Sequence, residues 1–315
     1  MDRWTGVLKI QLYPNSKTLY RVAASLALSS SPKNLAVPSG NAIFFCGDRV
    51  EKTDNPVIGR LSNPQTIAEI LVSKFGGSIN AYVIEASIFN GPFAVYKDFI
   101  PSVSENGEPK SYDATGFPAS ASLVMLLSKF LAEAKTIILG KQKEPYQAEA
   151  SASLSCKPKT ALLGFSKGGT ILNQLLTELA FSDVQSAEIS ANKNDWIMPT
   201  SKDQLLNSIA EIHYVDVGLN SEGAYLTDKD VIDRISELLT RRANGIRTLF
   251  HGTPRQWCDE RRIWIRKEKN TLVRLLQKAA HKNMGKLQIR ERLYFPGKVP
   301  DLQMHFEIID VMDVT

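Results

Sequence analysis

A serine flanked by glycines, between two contrasting segments, constrains this chain more than any other feature. The run Thr160–Phe165 is short and apolar, and residues 169–176 repeat apolar positions at helical spacing. Between them stands the pentad Gly164-Phe-Ser166-Lys-Gly168. This arrangement is typical of a nucleophile elbow, in which a strained turn between a strand and a helix exposes a serine hydroxyl. Glycines have no Cβ atom, so the strand and the helix can approach each other closely. The segment therefore predicts a strand, a sharp turn and a helix that together present Ser166.

The length and composition indicate one large domain. The 315 residues are 43% hydrophobic and 23% charged, as in ordinary globular proteins, and they can bury a single core. Cys46, Cys156 and Cys258 are too widely spaced for a disulfide framework or a zinc site. No apolar run reaches the roughly 18 residues of a membrane span, and no glycine-rich nucleotide motif follows a strand. We therefore predict a soluble single domain over residues 1–315, with no metal and no cofactor.

Positive charge is concentrated in one region of the chain. Residues 241–292 contain 15 Lys and Arg against 4 Asp and Glu, although the whole chain has a net charge of only +5. The charges alternate with apolar residues at helical spacing, and no nucleic-acid motif accompanies them. The preferred interpretation is a solvated basic face, and no nucleic-acid partner is expected. The alternatives are an attraction for anionic substrates or a peripheral contact with a membrane surface.

The rest of the chain alternates short apolar runs with helical patterns, which favours βαβ units. The predicted class is therefore an α/β fold with a mostly parallel central sheet and helices on both faces. The predicted strands are Asn41–Cys46, Ala81–Ser87, Thr160–Phe165, Glu211–Val217, Gly245–Phe250 and Gln288–Phe295, and the predicted helices are 64–76, Ser120–Lys135, the run after Ser166, Asp228–Arg242 and Asn270–Lys282.

Three irregular stretches interrupt this alternation, at residues 90–118, 141–158 and 186–203. The first contains several aromatic residues among prolines and glycines, and the other two are polar. Connections of this length are commonly functional lids or surface excursions. We predict that all three are insertions within the single domain.

A serine nucleophile needs a base, and the chain has four histidines. In hydrolases with a nucleophile elbow the histidine follows the last strand. His305 fits, because it comes after the predicted strand Gln288–Phe295 and a Pro-Gly loop. His251, at the end of the strand Gly245–Phe250, is the alternative base. His213 and His281 are better explained as structural or solvated residues.

Two aspartates are candidates for the acid that orients the base. Asp259 lies after the strand that ends at Phe250, where hydrolases of this kind usually carry the acid. However, Arg255 stands where the acid of a His-Gly-x-x-Asp sequence would fall. Asp216 follows the strand next to the elbow strand and is the second candidate. Sequence order permits either one.

Backbone N–H groups are the expected donors to an oxyanion. The N–H of Lys167, directly after the serine, is one candidate. The second would come from the turn after the strand Asn41–Cys46, which begins with Gly47 and Asp48. An ordinary Gly-Asp turn is the alternative explanation of that pair.

Several of these segments also resemble a known family. The elbow Gly164–Gly169, the segment Phe44-Phe-Cys-Gly-Asp48, and residues 214–220 and 223–228 are similar to a poorly characterised eukaryotic family of α/β-hydrolase-like proteins. Its animal members are associated with mitochondria. The resemblance covers the chain from about residue 5 onward. It implies an α/β-hydrolase-like fold with a serine hydrolase centre at Ser166 and His305.

The N-terminal region bears on the location of the protein. Residues 1–35 are rich in serine and contain Asp2 as their only acid, as a transit peptide would. Yet Val7–Tyr13 alternates like a strand, and Tyr20–Leu28 is a compact apolar segment, so both are predicted to belong to the fold. Without a clear targeting extension, we predict a cytoplasmic location, with mitochondria as the alternative.

These features together predict a serine hydrolase that cleaves an ester, thioester or amide through an acyl-enzyme on Ser166. Its substrate would be a small acyl compound, with lipids among the candidates. The alternative is a catalytically inactive α/β-hydrolase scaffold that binds or regulates a partner, because fold alone does not imply activity. The sequence leaves the oligomeric state open.

Overall fold

A single eight-stranded sheet is the frame of the molecule. The computed structural model describes residues 2–29, 34–50, 52–140, 157–183, 197–283 and 285–315. The strands in these residues are β1 (Arg3–Ile10), β2 (Tyr20–Ala27), β3 (Gly40–Phe45), β4 (Asn80–Ile84), β5 (Ile88–Asn90), β6 (Phe93–Val95), β7 (Lys159–Phe165), β8 (Ile209–Val215), β9 (Ile246–Gly252) and β10 (Leu287–Leu293). The large sheet has the order β1-β2-β4-β3-β7-β8-β9-β10, and β5 and β6 form a separate hairpin.

Most neighbouring strands of the large sheet run parallel. Only the pairs β1–β2 and β2–β4 are antiparallel, whereas the pairs from β4 through β10 are parallel. Strands β3 and β4 are buried at every position, because both faces of the sheet are covered. The edge strand β10 is largely exposed. The predicted mostly parallel central sheet is confirmed.

Helices cover both faces of this sheet. They are α1 (Pro56–Leu61), α2 (Pro64–Phe75), α3 (Pro118–Gly140), α4 (Gly169–Ala180), α5 (Lys202–Ser208), α6 (Lys229–Arg241), α7 (Pro254–Trp257), α8 (Ile263–Lys282) and α9 (Leu302–Val311). Helices α3, α4, α6 and α8 contribute to one apolar core, and α1, α2 and α9 to the core on the opposite face. The predicted two-sided α/β class is therefore confirmed. No helix among the described residues is long and apolar enough to cross a bilayer.

The structure differs from the predicted elements mainly at their ends. Helix α8 begins at Ile263, seven residues before the predicted start. The largest difference is α9, since the sequence predicts only a Pro-Gly loop after the last strand and no helix beyond it. Asp301 caps this helix by accepting a hydrogen bond from the Met304 N–H at 2.7 Å. A single capping aspartate after a Pro-Gly stretch is a weak signal, and this explains why the helix was missed.

The three predicted insertions have different outcomes. Residues 141–156 and 184–196, which make up most of two of them, lie outside the described residues. The stretch 90–118 contains β6 and a chain of turns. Two of its aromatic residues belong to the core rather than to a lid, because Tyr96 and Phe99 are buried and pack edge to face on each other.

Candidate active site

Ser166 occupies a strained turn at the carboxyl end of β7. Its φ is +52°, in the left-handed region that residues with a Cβ atom seldom adopt. The turn needs glycine on both sides. A Cβ on Gly164 would lie 2.6 Å from the Gly169 Cα, and one on Gly168 would lie 2.2 Å from the Phe45 carbonyl oxygen. The strand, turn and helix α4 predicted around Ser166 are therefore present, and the serine is partly exposed.

His305 lies in the first turn of α9 rather than in the loop predicted for it. Its Nδ1 is 2.6 Å from the Asp216 Oδ2, so the carboxylate accepts the proton of that nitrogen. The imidazole also packs on the ring of Phe165, the residue before the nucleophile, with 4.5 Å between ring centroids. Because Nδ1 is engaged by Asp216, Nε2 is the nitrogen left for exchange with a serine hydroxyl.

Asp216 is fully buried directly after β8, and three groups hold its carboxylate. Besides His305, Oδ1 accepts the Thr253 N–H at 2.7 Å, and Oδ2 accepts the Thr253 hydroxyl at 2.9 Å. Its own N–H donates to the His251 carbonyl oxygen at 2.7 Å, and its φ is +44°. A backbone this constrained directs the carboxylate toward His305. Thr253 was missed by the sequence reasoning, and its only sequence signal is a hydroxyl directly after the end of β9.

The structure does not bring Asp259 to His305. Its carboxylate pairs with Arg262 at 2.8 Å and caps the turn at the Arg261 N–H at 2.9 Å. The physical reason is the course of the chain after β9, which enters α7 at once instead of curling back over the sheet. Of the two candidate acids, only Asp216 contacts His305.

No hydrogen bond joins the Ser166 hydroxyl to His305 among the described residues. In the described part of the chain, the Ser166 hydroxyl makes no hydrogen bond, whereas His305 is bound to Asp216 on its other side. Hydrogen bonds between catalytic groups often tighten only when substrate is bound. His305 nevertheless packs on the ring of Phe165, the residue that directly precedes Ser166.

The turn after β3 approaches the serine closely. A Cβ on Gly47 would lie 2.5 Å from the Ser166 Cβ and 3.1 Å from its Oγ, so only glycine fits there. Among the residues with described positions, the backbone N–H groups of Gly47, Asp48 and Lys167 have no acceptor. Unpaired N–H groups beside a nucleophile are what an oxyanion site requires. Gly47 thus lies against Ser166, with Asp48 next in the chain and Lys167 directly after the serine, and all three remain predicted donors.

His251, the alternative base, belongs to a different buried cluster. Its Nε2 is 3.1 Å from the Nδ1 of His213, and the two rings are nearly parallel, at 3°. On the far sides, Tyr294 Oη lies 3.1 Å from His251 Nδ1, and Glu211 Oε2 lies 3.1 Å from His213 Nε2. Both nitrogens of His251 are therefore occupied by groups other than Ser166 or Asp216. His281 is exposed on α8, as expected of a solvated residue.

The strand order, the parallel crossovers and the elbow after β7 define the α/β-hydrolase fold. Among solved structures, a siderophore hydrolase from Aspergillus nidulans is similar to this chain with a TM-score of 0.44 and 12% identity, covering 98% of this chain and 94% of that protein.

At the level of families, the chain is similar to the C2orf69 proteins. The C2orf69 family matches residues 135–282, just under half of the chain. The predicted resemblance to a eukaryotic family is confirmed over this region, which is narrower than the range expected from the sequence.

Two curated relatives have the same family name. The mitochondrial protein C2orf69 homolog of Mus musculus is 29% identical over 151 residues, which cover 48% of this chain and 34% of that protein. The human mitochondrial protein C2orf69 is also 29% identical over 151 residues, covering 32% of its length. The matched region therefore spans about a third of each relative.

Proposed function

We propose that this protein is a serine hydrolase that cleaves an ester, thioester or amide of a small acyl substrate. The single observation that carries the proposal is the 2.6 Å contact between the buried Asp216 and His305, whose ring packs on Phe165, the residue before the strained Ser166. A carboxylate that holds one imidazole nitrogen orients the other nitrogen and stabilises the imidazolium that forms during catalysis. A purely structural histidine has no need of this arrangement behind a nucleophile elbow.

The proposed first half-reaction forms an acyl-enzyme. Ser166 Oγ attacks the substrate carbonyl while His305 Nε2 accepts the hydroxyl proton, and Asp216 stabilises the resulting imidazolium. The negative charge on the tetrahedral intermediate is bound by the N–H of Lys167 and by the N–H of Gly47 or Asp48. Collapse of the intermediate breaks the bond to the leaving group, which takes the proton from His305.

The second half-reaction restores the enzyme. Water attacks the acyl-serine as His305 removes one of its protons, and the same N–H groups bind the second oxyanion. The carboxylic acid product leaves, and the proton returns from His305 to Ser166 Oγ. Lipid esters are included in the proposed acyl class.

The alternative location receives support from the relatives. Both curated relatives are named mitochondrial proteins. We infer a mitochondrial location in preference to the cytoplasmic expectation. Imaging of the chain with a fluorescent protein fused to its C-terminus tests this, and a diffuse cytoplasmic signal would contradict it.

A fluorophosphonate probe tests the enzymatic proposal directly, because it phosphonylates activated serines. We expect the wild type to be labelled and S166A to remain unlabelled. S221A, which removes a different hydroxyl in the loop after Asp216, is the matched control and should label like the wild type. A folded wild type that does not label would reject the hydrolase and favour the inactive scaffold.

A further inference from the structure

The side chain of Lys167 has contacts that the proposed reaction does not explain. The residue follows the nucleophile, yet it is only 3% exposed. Its ammonium lies 2.8 Å from Asp48 Oδ1, donates to the Asn106 carbonyl oxygen at 2.7 Å, and sits 4.9 Å from the centroid of the Phe93 ring.

These contacts join three separate segments of the chain. Lys167 belongs to the elbow and Asp48 to the turn after β3. Asn106 belongs to the irregular part of residues 90–118 that follows β6, here called the excursion. Asp48 strengthens the junction, because its Oδ1 also accepts the N–H of Ala94 in β6 at 2.8 Å. One ion pair therefore fastens the elbow, the turn and the excursion to each other.

Burial of an ammonium is unfavourable unless its charge is paired and its N–H groups are bonded. Here a carboxylate, a carbonyl oxygen and an aromatic face surround the group. The ammonium is thus engaged within the protein and is not offered to a substrate anion. An apolar side chain of similar length would fill the same space without a partner, so packing alone does not account for a lysine.

We propose that Lys167 is a positioning residue whose ion pair with Asp48 sets the spacing of the oxyanion donors. The inference rests on the proposed function. The two side chains belong to two of the residues proposed as oxyanion donors, so tying the side chains together holds those backbone positions together. A displacement of about 1 Å at such a site can cost on the order of 100-fold in rate.

A second buried lysine offers a matched control. Lys269 in α8 is 7% exposed, lies 2.5 Å from Glu291 Oε2, and sits 4.5 Å from the Trp257 ring. It thus shares the burial, the carboxylate partner and the aromatic contact of Lys167. It differs in that neither member of its pair adjoins an N–H group near Ser166.

The test compares K167M, D48N, the double variant and K269M. For each folded variant, the rate of phosphonylation of Ser166 and the kcat and KM for a p-nitrophenyl ester are measured. We expect K167M to lower the phosphonylation rate and kcat about 10- to 100-fold with little change in KM, because displacing an oxyanion donor should cost less than the roughly 100- to 1,000-fold that removing one costs. D48N keeps an oxygen acceptor but loses the charge, and should lower both rates about 3- to 10-fold.

The double variant and the control separate positioning from general stability. Because Lys167 and Asp48 act as a unit, K167M combined with D48N should remain within about threefold of K167M alone. K269M should lower the unfolding temperature with rates within about twofold of the wild type. Rates in K269M that fall as far as in K167M would mean that loss of any buried ion pair impairs the protein, and this overturns the proposal.

The remaining outcomes are also decisive. A folded K167M with wild-type rates overturns the inference while the hydrolase proposal stands. If K167M does not fold, the rates of D48N provide the test. A phosphonylation rate and a kcat of D48N equal to those of the wild type overturn the inference. A wild type that does not react with the probe rejects the hydrolase and this role of Lys167 together.

Discussion

Two buried histidine centres lie at the carboxyl half of the sheet, and they differ in their partners. His305 is 6% exposed and is hydrogen-bonded to a carboxylate, Asp216. His213 and His251 are 0% and 2% exposed and are hydrogen-bonded to each other. Burial alone therefore does not distinguish a candidate catalytic histidine from a structural one.

The partners give the two centres different proton chemistry. A carboxylate beside an imidazole stabilises the imidazolium, which general base catalysis requires. His213 also has a carboxylate neighbour, Glu211, at 3.1 Å, but burial outweighs its effect on the pKa of His213. Two neighbouring imidazoles form a hydrogen bond only if one nitrogen donates and the other accepts, so two protonated rings would repel each other. Burial lowers the pKa of His213, and burial together with the neighbouring His213 lowers the pKa of His251 well below its usual value. These lowered pKa values favour the neutral form of the pair, whereas His305 has the Asp216 contact expected of a general base.

The largest effect should separate the two centres directly. H305A removes the base and should lower ester hydrolysis by about 10⁴- to 10⁶-fold, as loss of the histidine of a triad does. H251Q should change the rate less than about threefold, because that side chain contacts neither Ser166 nor Asp216. Steady-state kinetics with a p-nitrophenyl ester measure both. Equal losses in the two variants would abolish the distinction.

The next effect concerns the two candidate acids. D216N should lower the rate about 10²- to 10⁴-fold, since an amide cannot stabilise the imidazolium and favours the wrong tautomer. D259N should leave the rate unchanged, because Asp259 is engaged with Arg262. The same kinetic assay decides, and a greater loss in D259N would transfer the role of acid to that residue.

A smaller effect on the rate should test whether the Thr253 hydroxyl orients Asp216. T253V removes the hydroxyl that donates to Asp216 but keeps the backbone N–H. A hydrogen bond to a charged group contributes about 1.5–3 kcal/mol, so kcat should fall roughly 10- to 100-fold. T248V, at a buried threonine within β9, is the control and should affect unfolding only. Unchanged kcat in T253V would show that the hydroxyl does not orient Asp216.

The smallest effect concerns the pH dependence of stability. The native His213–His251 pair has lowered pKa values, so below pH 6.5 the unfolded chain binds protons that the native state does not. The free energy of unfolding is therefore retained above this pH and lost as the pH falls, by at most about 1.4 kcal/mol per pH unit for each histidine that stays neutral in the native state. Urea titrations between pH 5 and pH 8 measure it. H251Q should reduce the slope, and an unchanged slope would assign the acid sensitivity to other groups.

Local patterns were sufficient for much of the fold. The alternation of apolar runs and helical segments predicts β3, β4, β7, β8, β9 and β10, because period-two and helical periodicities are properties of adjacent residues. The glycines around Ser166 predict the elbow for the same reason, since a strained turn needs small neighbours within a few positions. Helix α9 is not predicted, because the only local signal for its start is one capping aspartate, Asp301.

The candidate site depended on contacts between distant residues. Sequence order permitted Asp216 or Asp259, and the choice followed from the turn at Asp216 and from the immediate entry of the chain into α7 after β9. Likewise, the sequence could rank His305 above His251, but only the packing of β8 against β9 paired His251 with His213. Local periodicity is a property of neighbouring residues. The hydrogen-bond partner of a carboxylate or an imidazole depends instead on the register of the strands and on the path of the loops across the folded sheet.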